Sequence, residues 1–262
     1  SDGLEVLIGS NPLDDDSDGD GIPDGEEFAA GEDPAGNLVD ADSDGIGDAA
    51  ELAHGTDPDD ADSDDDGLCD GNRDVVAASC VAGEDRDGDG LLDPGESDPT
   101  AVDTDCDGLS DHDEQVVYGS DSLDNDADGD GLSDAVEAGI TSAADPSCTG
   151  LLFDQDPSTT TDPTLTDTDG DGIRDGVEDL NHDGALAAAN PGGVQETEAS
   201  DPDTDGDGRC DGGLTVAPVC FAGEDRNGDN VVTGTETDPR RPDIDTAGDG
   251  LIDAVEGGFG LD

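Results

Sequence analysis

The chain has 262 residues, a formal net charge of -68 and only 30% hydrophobic residues. Its 75 acidic side chains face seven basic ones, all Arg, which excludes nucleic acid and anionic membranes as natural partners and points to cations. Four Phe, one Tyr and no Trp or Met cannot pack an ordinary core, and composition alone reads as disorder unless pattern overrides it.

Pattern does override it. Asp2 and Glu5 match the end of an acidic word whose first half is missing, so the chain reads as starting inside a motif. The first whole word, D-x-D-x-D-G-x-x-D-x-x-E, is Asp16, Asp18, Asp20, Gly21, Asp24 and Glu27. It returns as Asp40, Asp42, Asp44, Asp48 and Glu51, and then in degenerate form as Asp62, Asp64, Asp66 and Asp70, where Arg73 replaces the last carboxylate. Complete copies follow at Asp85, Asp87, Asp89, Asp93 and Glu96, at Asp103, Asp105, Asp107, Asp111 and Glu114, and at Asp126, Asp128, Asp130, Asp134 and Glu137. Residues 138–166 hold no copy, only the apolar "LLF" at 151–153 and a Thr/Pro-rich run that reads as a spacer or an O-glycan site. The word resumes complete at Asp167, Asp169, Asp171, Asp175 and Glu178. Degenerate copies close the chain. One is Asp179, Asn181 and Asp183, with Glu196 or Glu198 as late carboxylates. The next is Asp203, Asp205, Asp207 and Asp211, with Leu214 at the last position. Asp225, Asn227, Asp229 and Glu236 carry Asn230 in place of Gly, and the last copy is Asp245, Asp249, Asp253 and Glu256.

Such spacing has a chemical reason. Ca²⁺ takes six to eight oxygens, and a twelve-residue loop supplies them from positions 1, 3 and 5, the backbone carbonyl of 7, position 9 and a bidentate carboxylate at 12, with Gly at 6 for the sharp turn. The position-7 carbonyls here belong to Ile22, Ile46, Leu68, Leu91, Leu109, Leu132, Ile173, Arg209, Val231 and Leu251. Mg²⁺ fits less well because it keeps several waters, and no Cys/His spacing suits zinc. The Asp62 and Asp203 loops must recruit a more distant oxygen, from Glu84 or Asp85 and from Glu224 or Asp225. At least six ions are expected, and eleven if the degenerate loops fill. Flanking helices are limited to one or two turns, because "PDGEEFAAG", "GDAAELAHG" and "SDHDEQVVYG" each end in a Gly suited to a C-terminal cap. Asp at position 9 with Glu at 12 also matches a capping box, a purely structural use for those two carboxylates.

The words "DSDGDGIPDGEE", "DADGDGLSDAVE" and "DTDGDGIRDGVE", with Asn/Asp-Pro pairs between loops, resemble the thrombospondin type 3 repeats of secreted bacterial proteins. The resemblance implies a mostly irregular chain with short helices: an elongated array stapled by calcium ions, pinned by disulfides and lacking a conventional hydrophobic core.

A longer period overlies the short one. "CDGNRDVVAASCVAGEDRDGDG" and "CDGGLTVAPVCFAGEDRNGDN" place Cys69 and Cys210 141 residues apart, and Cys80 and Cys220 140 apart. This duplication favours Cys69–Cys80 and Cys210–Cys220 pairs, leaving Cys106 with Cys148; free thiols are the alternative. It also divides the chain into repeats over 1–137, a loop-free insert over 138–166, and a partial second copy over 167–262. Disulfides imply an extracellular or cell-surface location. No apolar run is long enough to cross a bilayer, and no leader opens the chain, so it reads as a soluble, processed product. His54, His112 and His182 lie among carboxylates as chance allows, with no nucleophile context, so no enzyme is expected. The functional expectation is a calcium-dependent structural protein, a stalk or filament subunit that associates with itself. The alternative is an adhesin or matrix segment that takes a partner or mineral through its acidic surface.

Overall fold

The computed structural model describes residues 40–88, 90–186, 196–233 and 236–243. The loops expected at Asp16 and Asp245, the partial word at Asp2 and Glu5, and Asp89 lie outside these residues.

The described chain is mostly coil. Its helices are α1 (Asp48–His54), a π-helical turn over Asp113–Tyr118, α2 (Asp134–Glu137) and α3 (Asp175–Glu178). Each α-helix starts at position 9 of an acidic loop, after an extended residue at position 8: Gly47, Ser133 or Arg174. None of these three makes a side-chain cap bond, so the capping box suggested by the spacing is not formed there. Helix α1 ends as its sequence indicates: Gly55, at φ 109°, donates its N–H to the Glu51 carbonyl.

Among the described residues, sheet structure consists of an isolated antiparallel bridge between Val75 and Cys80 and two parallel pairs of two residues, β1 (Leu68–Cys69) with β2 (Val81–Ala82) and β3 (Arg209–Cys210) with β4 (Phe221–Ala222). Each pair lies at the neck of a disulfide-closed excursion, Cys69–Cys80 and Cys210–Cys220, and Cys106–Cys148 forms the third bridge. The duplicated cysteine spacing therefore gives the pairing observed.

The chain divides into two compact units, Ser1–Thr104 with Ser110–Val117, and Asp105–Leu109 with Tyr118–Asp262. The division passes through the loop that begins at Asp103. Buried apolar side chains are few: Ile46, Ala61 and Leu68 in the first unit, and Leu109, Leu132, Ala135, Val136 and Ile173 in the second. Carboxylates are buried as deeply, with Glu51, Glu84, Glu178 and Glu224 all at 0% exposure. The segment 138–166 carries a patch and a clamp. Leu151 and Phe153 flank Gly108, while Thr161 donates its N–H to the Glu137 carbonyl (3.0 Å) and its hydroxyl to Glu137 Oε1 (3.1 Å).

With so small an apolar complement, each position-7 side chain counts. Ile173→Ala, at 0% exposure, is expected to cost about 2–4 kcal/mol. Leu152→Ala, at 60% exposure, should change stability by less than about 0.5 kcal/mol. Urea unfolding in calcium checks both.

Candidate metal centres

Six described loops, beginning at Asp40, Asp62, Asp103, Asp126, Asp167 and Asp203, share one wiring. The chain turns twice through positive φ, at positions 4 and 6; in the Asp126 loop these are Gly129 (77°) and Gly131 (114°). The repeated "DGDG" is the sequence trace of this double turn. One oxygen of each early carboxylate then holds the turn. The position-3 Oδ1 accepts the N–H of position 5 (Asp64 from Asp66, 3.1 Å; Asp169 from Asp171, 3.0 Å), and the position-5 Oδ1 accepts the N–H of position 7 (Asp66 from Leu68, 2.6 Å; Asp171 from Ile173, 2.8 Å). The other oxygen of position 3 stays buried without a hydrogen bond: Oδ2 of Asp42, Asp64, Asp128, Asp169 and Asp205. In the loops at Asp40, Asp62 and Asp126, oxygens of positions 1, 3 and 5 converge within 4.8 Å.

Position 9 has a different task. Its Oδ1 accepts the N–H of position 2, as in Asp48 from Ala41 (3.0 Å) and Asp175 from Thr168 (2.9 Å). Where position 2 is Ser or Thr, its hydroxyl donates to Oδ2 as well, as in Thr104 to Asp111 (2.6 Å) and Thr204 to Asp211 (2.5 Å). That hydroxyl also accepts an N–H from the preceding turn, Asp98 for Thr104 and Asp162 for Thr168 (both 2.9 Å). The Asp-Pro turns between loops are tied in this way. The word alone does not reveal this pairing, although the recurrence of Ser and Thr after its first Asp is a trace of it.

Position 12 closes the ring. Glu51, Glu137 and Glu178 are at most 1% exposed, and each keeps at least one buried oxygen without a donor. In the two loops that lack this residue, the structure supplies it. Glu84 lies among Asp64, Asp66 and Asp70, and Glu224 among Asp205, Asp207 and Asp211; both keep a buried unpaired oxygen. The disulfide excursions bring them there. The chain leaves after position 10, returns through the β1–β2 or β3–β4 pair, and is fixed by Asp85 N–H to the Asp70 carbonyl (2.9 Å) and Asp225 N–H to the Asp211 carbonyl (2.6 Å). Of the two residues open at each place, Glu closes the loop behind it and Asp begins the next.

Those next loops, at Asp85, Asp179 and Asp225, form a second class. Their first Asp is buried and accepts the N–H groups of positions 4 and 6 (Gly88 and Gly90, His182 and Gly184, Gly228 and Asn230), as Asp167 also does from Gly170 and Gly172; in the Asp85 loop the position-2 N–H, of Arg86, donates to Glu96 Oε1 (3.0 Å) and not to position 9. Asn230 takes φ 52°, so it replaces Gly in the turn as its tolerance of left-handed backbone predicts. Asp85 and Asp87 converge with Glu96. Of the two late carboxylates open to the Asp179 loop, Glu196 is the one that approaches it, accepting from Asn181 Nδ2 (3.0 Å), while the Glu198 N–H donates to Thr204. Leu91 is 47% exposed, whereas the position-7 Leu and Ile of the first class are buried.

Loops of the first class are also joined to one another. The position-5 Oδ2 accepts an N–H at or near position 10 of a later loop: Asp66 from His112 (2.8 Å), Asp107 from Ala135 (2.7 Å), Asp130 from Gly176 (2.6 Å), and Asp171 from Gly212. Asp207 accepts likewise from Asp243 (2.7 Å). A Cβ on Gly176 would lie 2.7 Å from the Asp130 carbonyl oxygen, so this backbone approach requires glycine.

Burial, reinforced by neighbouring carboxylates, pushes Glu84 up to about 10, Glu137 to about 9, and Glu51 and Glu224 to about 8, with Glu178 raised well above its usual range. Like charges held dry in this way require protons or cations. The donors are all hard oxygens, which selects Ca²⁺-type ions over softer metals.

The family model of the bacterial TSP3 repeat matches residues 1–15, 16–35, 40–61, 103–125, 126–139 and 167–182. The chain carries bacterial TSP3 repeats. No curated protein and no solved structure matches it. The TSP3 matches omit the loops at Asp62, Asp85, Asp203 and Asp225, yet the structure gives the Asp62 and Asp203 loops the same wiring. Repeats and acidic clusters together mark a calcium-binding repeat protein.

The raised carboxylates fix a sign. Without metal, the fold retains protons that unfolded Glu releases near pH ~4.3, so this stabilisation is full below that pH and is lost as pH climbs toward ~8–10. In EDTA the thermal midpoint should fall between about pH 5 and pH 8, while calcium should suppress the fall, so the gap widens with pH. Paired melts across that range measure it.

Proposed function

We propose that the protein is an extracellular, non-catalytic structural element, a semi-rigid stalk or the repeating subunit of a filament, whose order depends on Ca²⁺ in its TSP3 loops. The ligands we assign in each first-class loop are the carboxylates of positions 1, 3 and 5, the position-7 carbonyl and the closing Glu, with position 9 acting through water. The assignment covers Asp16, Asp18, Asp20 and Glu27, and Asp245, Asp249 and Glu256, by analogy of sequence. The observation that carries the mechanical reading is the position-5 carboxylate, which serves its own loop with one face and holds the backbone of a later loop with the other. Ion binding and repeat-to-repeat stiffness then share one group. Three disulfides and the repeat family support an extracellular setting. No helix among the described residues is long and apolar enough to cross a membrane.

A partner-binding role is the second reading. It is favoured by exposed apolar residues at both disulfide excursions, Val76 (91%) on one, and Val219 (55%) on the other with Phe221 (71%) at its neck.

Two experiments test these assignments. If free Ca²⁺ is tenfold above Kd, each site adds about 1.4 kcal/mol. Glu84→Gln should remove about that much calcium-dependent stabilisation, and Val76→Ser, at a side chain 91% exposed, should leave it unchanged within about 0.5 kcal/mol; equal effects would reject Glu84 as the closing ligand. In small-angle scattering, disulfide-intact protein should change from a flexible chain in EDTA to a defined particle or polymer in millimolar Ca²⁺ but not in Mg²⁺. Coil-like scattering with calcium bound would discard the structural role, and polymers formed without a partner would select the filament over the adhesin.

A further inference from the structure

The segment 138–166 contains no acidic word, yet it buries one carboxylate. Asp154 is 4% exposed. The insert is pinned there by three bonds: Asp154 N–H to the Ile140 carbonyl (2.9 Å), Gln155 N–H to the Asp183 carbonyl (2.7 Å) and the Thr159 hydroxyl to the Gly184 carbonyl (2.6 Å). These bonds lay the Asp154 carboxylate against Gly184, the position-6 residue of the Asp179 loop. A Cβ on Gly184 would lie 2.7 Å from Asp154 Cγ, so the carboxylate occupies space that only glycine leaves open. In the Asp85 loop the same space, beside Gly90, is filled by the methyl groups of Ala50 and Ile46. A charge has taken an apolar place.

One oxygen of this carboxylate is accounted for, since Oδ1 accepts the N–H of Asp156 (2.7 Å). The other, Oδ2, is buried with no hydrogen-bond partner. The charges acting on it, Asp156 and Asp183, have the same sign as its own. Asp156 is exposed, whereas Asp183 lies on the segment pinned to the insert; its Oδ1 accepts the Ala185 N–H (3.1 Å), so it is placed to share a ligand with Asp154 through its other oxygen. A buried carboxylate oxygen with no donor, facing a loop that carries a second carboxylate, is stable only with a proton or a cation.

We propose that Asp154 Oδ2 and the Asp183 carboxylate hold a further divalent, oxygen-preferring cation, with water completing its shell. The site joins the insert to the Asp179 loop. It rests on the reading of the chain as a calcium-binding protein and adds a site that the repeat word does not encode.

Anomalous scattering from crystals of the full chain grown in Ca²⁺ or Sr²⁺ tests it directly. The expected result is a peak about 2.3–2.6 Å from Asp154 Oδ2, in addition to peaks in the repeats. Peaks in the repeats with none at Asp154 would overturn this proposal alone, and no peaks anywhere would overturn the calcium reading itself. In solution, Asp154→Asn preserves the Oδ1 acceptor for Asp156 and removes the charge. Native mass spectrometry should then count one Ca²⁺ fewer than in the parent chain, and an unchanged count would sink the site. If Asp154→Asn fails to fold, the diffraction result on the parent chain decides.

Discussion

Everything in this molecule depends on dividing each carboxylate between two tasks. At position 3 one oxygen is spent on a backbone N–H of its own loop and the other is buried without a donor, while at position 5 the second oxygen holds the backbone of a later loop. Hydrogen bonds alone would hold the loop but leave its interior a cluster of like charges, which at an effective dielectric near 20 repel by about 4 kcal/mol per pair at 4 Å. The interior must therefore be completed by something positive, protons or cations. In a chain with seven Arg and no Lys, that something comes from outside. Composition that reads as disorder and geometry that reads as order are reconciled by this one requirement.

Much of the arrangement was legible in the spacing of Asp and Glu, because that spacing decides which carboxylates one double turn brings together. Positions 1, 3, 5 and 12, the short helices, the glycine after α1 and the duplicated cysteines all follow from local rules that involve few residues. What stayed hidden depends on contacts between distant segments. The capping box failed because Asp48, Asp134 and Asp175 turn back to position 2 of their own loops instead of capping the helices they begin. The choice between Glu84 and Asp85, or between Glu224 and Asp225, required knowing that a two-residue parallel pair returns the chain in register after the excursion. The burial of Asp154 could not be read at all, since its partner lies in a loop 25 residues and more away.

The joints between loops explain how a chain with so little apolar surface stays ordered within each unit. A conventional domain gains cooperativity from a shared core. Here a carboxylate such as Asp130 orders its own turn through Leu132 and the start of α3 through Gly176, so disorder in one loop removes an acceptor from another. Nearest-neighbour coupling of this kind is the energetic pattern of repeat proteins, in which order spreads along the chain one interface at a time.

The two disulfide excursions carry a lesson about how such an array grows. They interrupt a ring between its tenth residue and its closing Glu, and the ring survives because the neck of the excursion is fastened on both sides. The ring needs that Glu in place; it does not need the chain to arrive there by the shortest route. This point of the loop is thus a natural splice site, where a lineage is free to add excursions of new sequence, including exposed apolar residues such as Val76, without disturbing the chemistry beneath them.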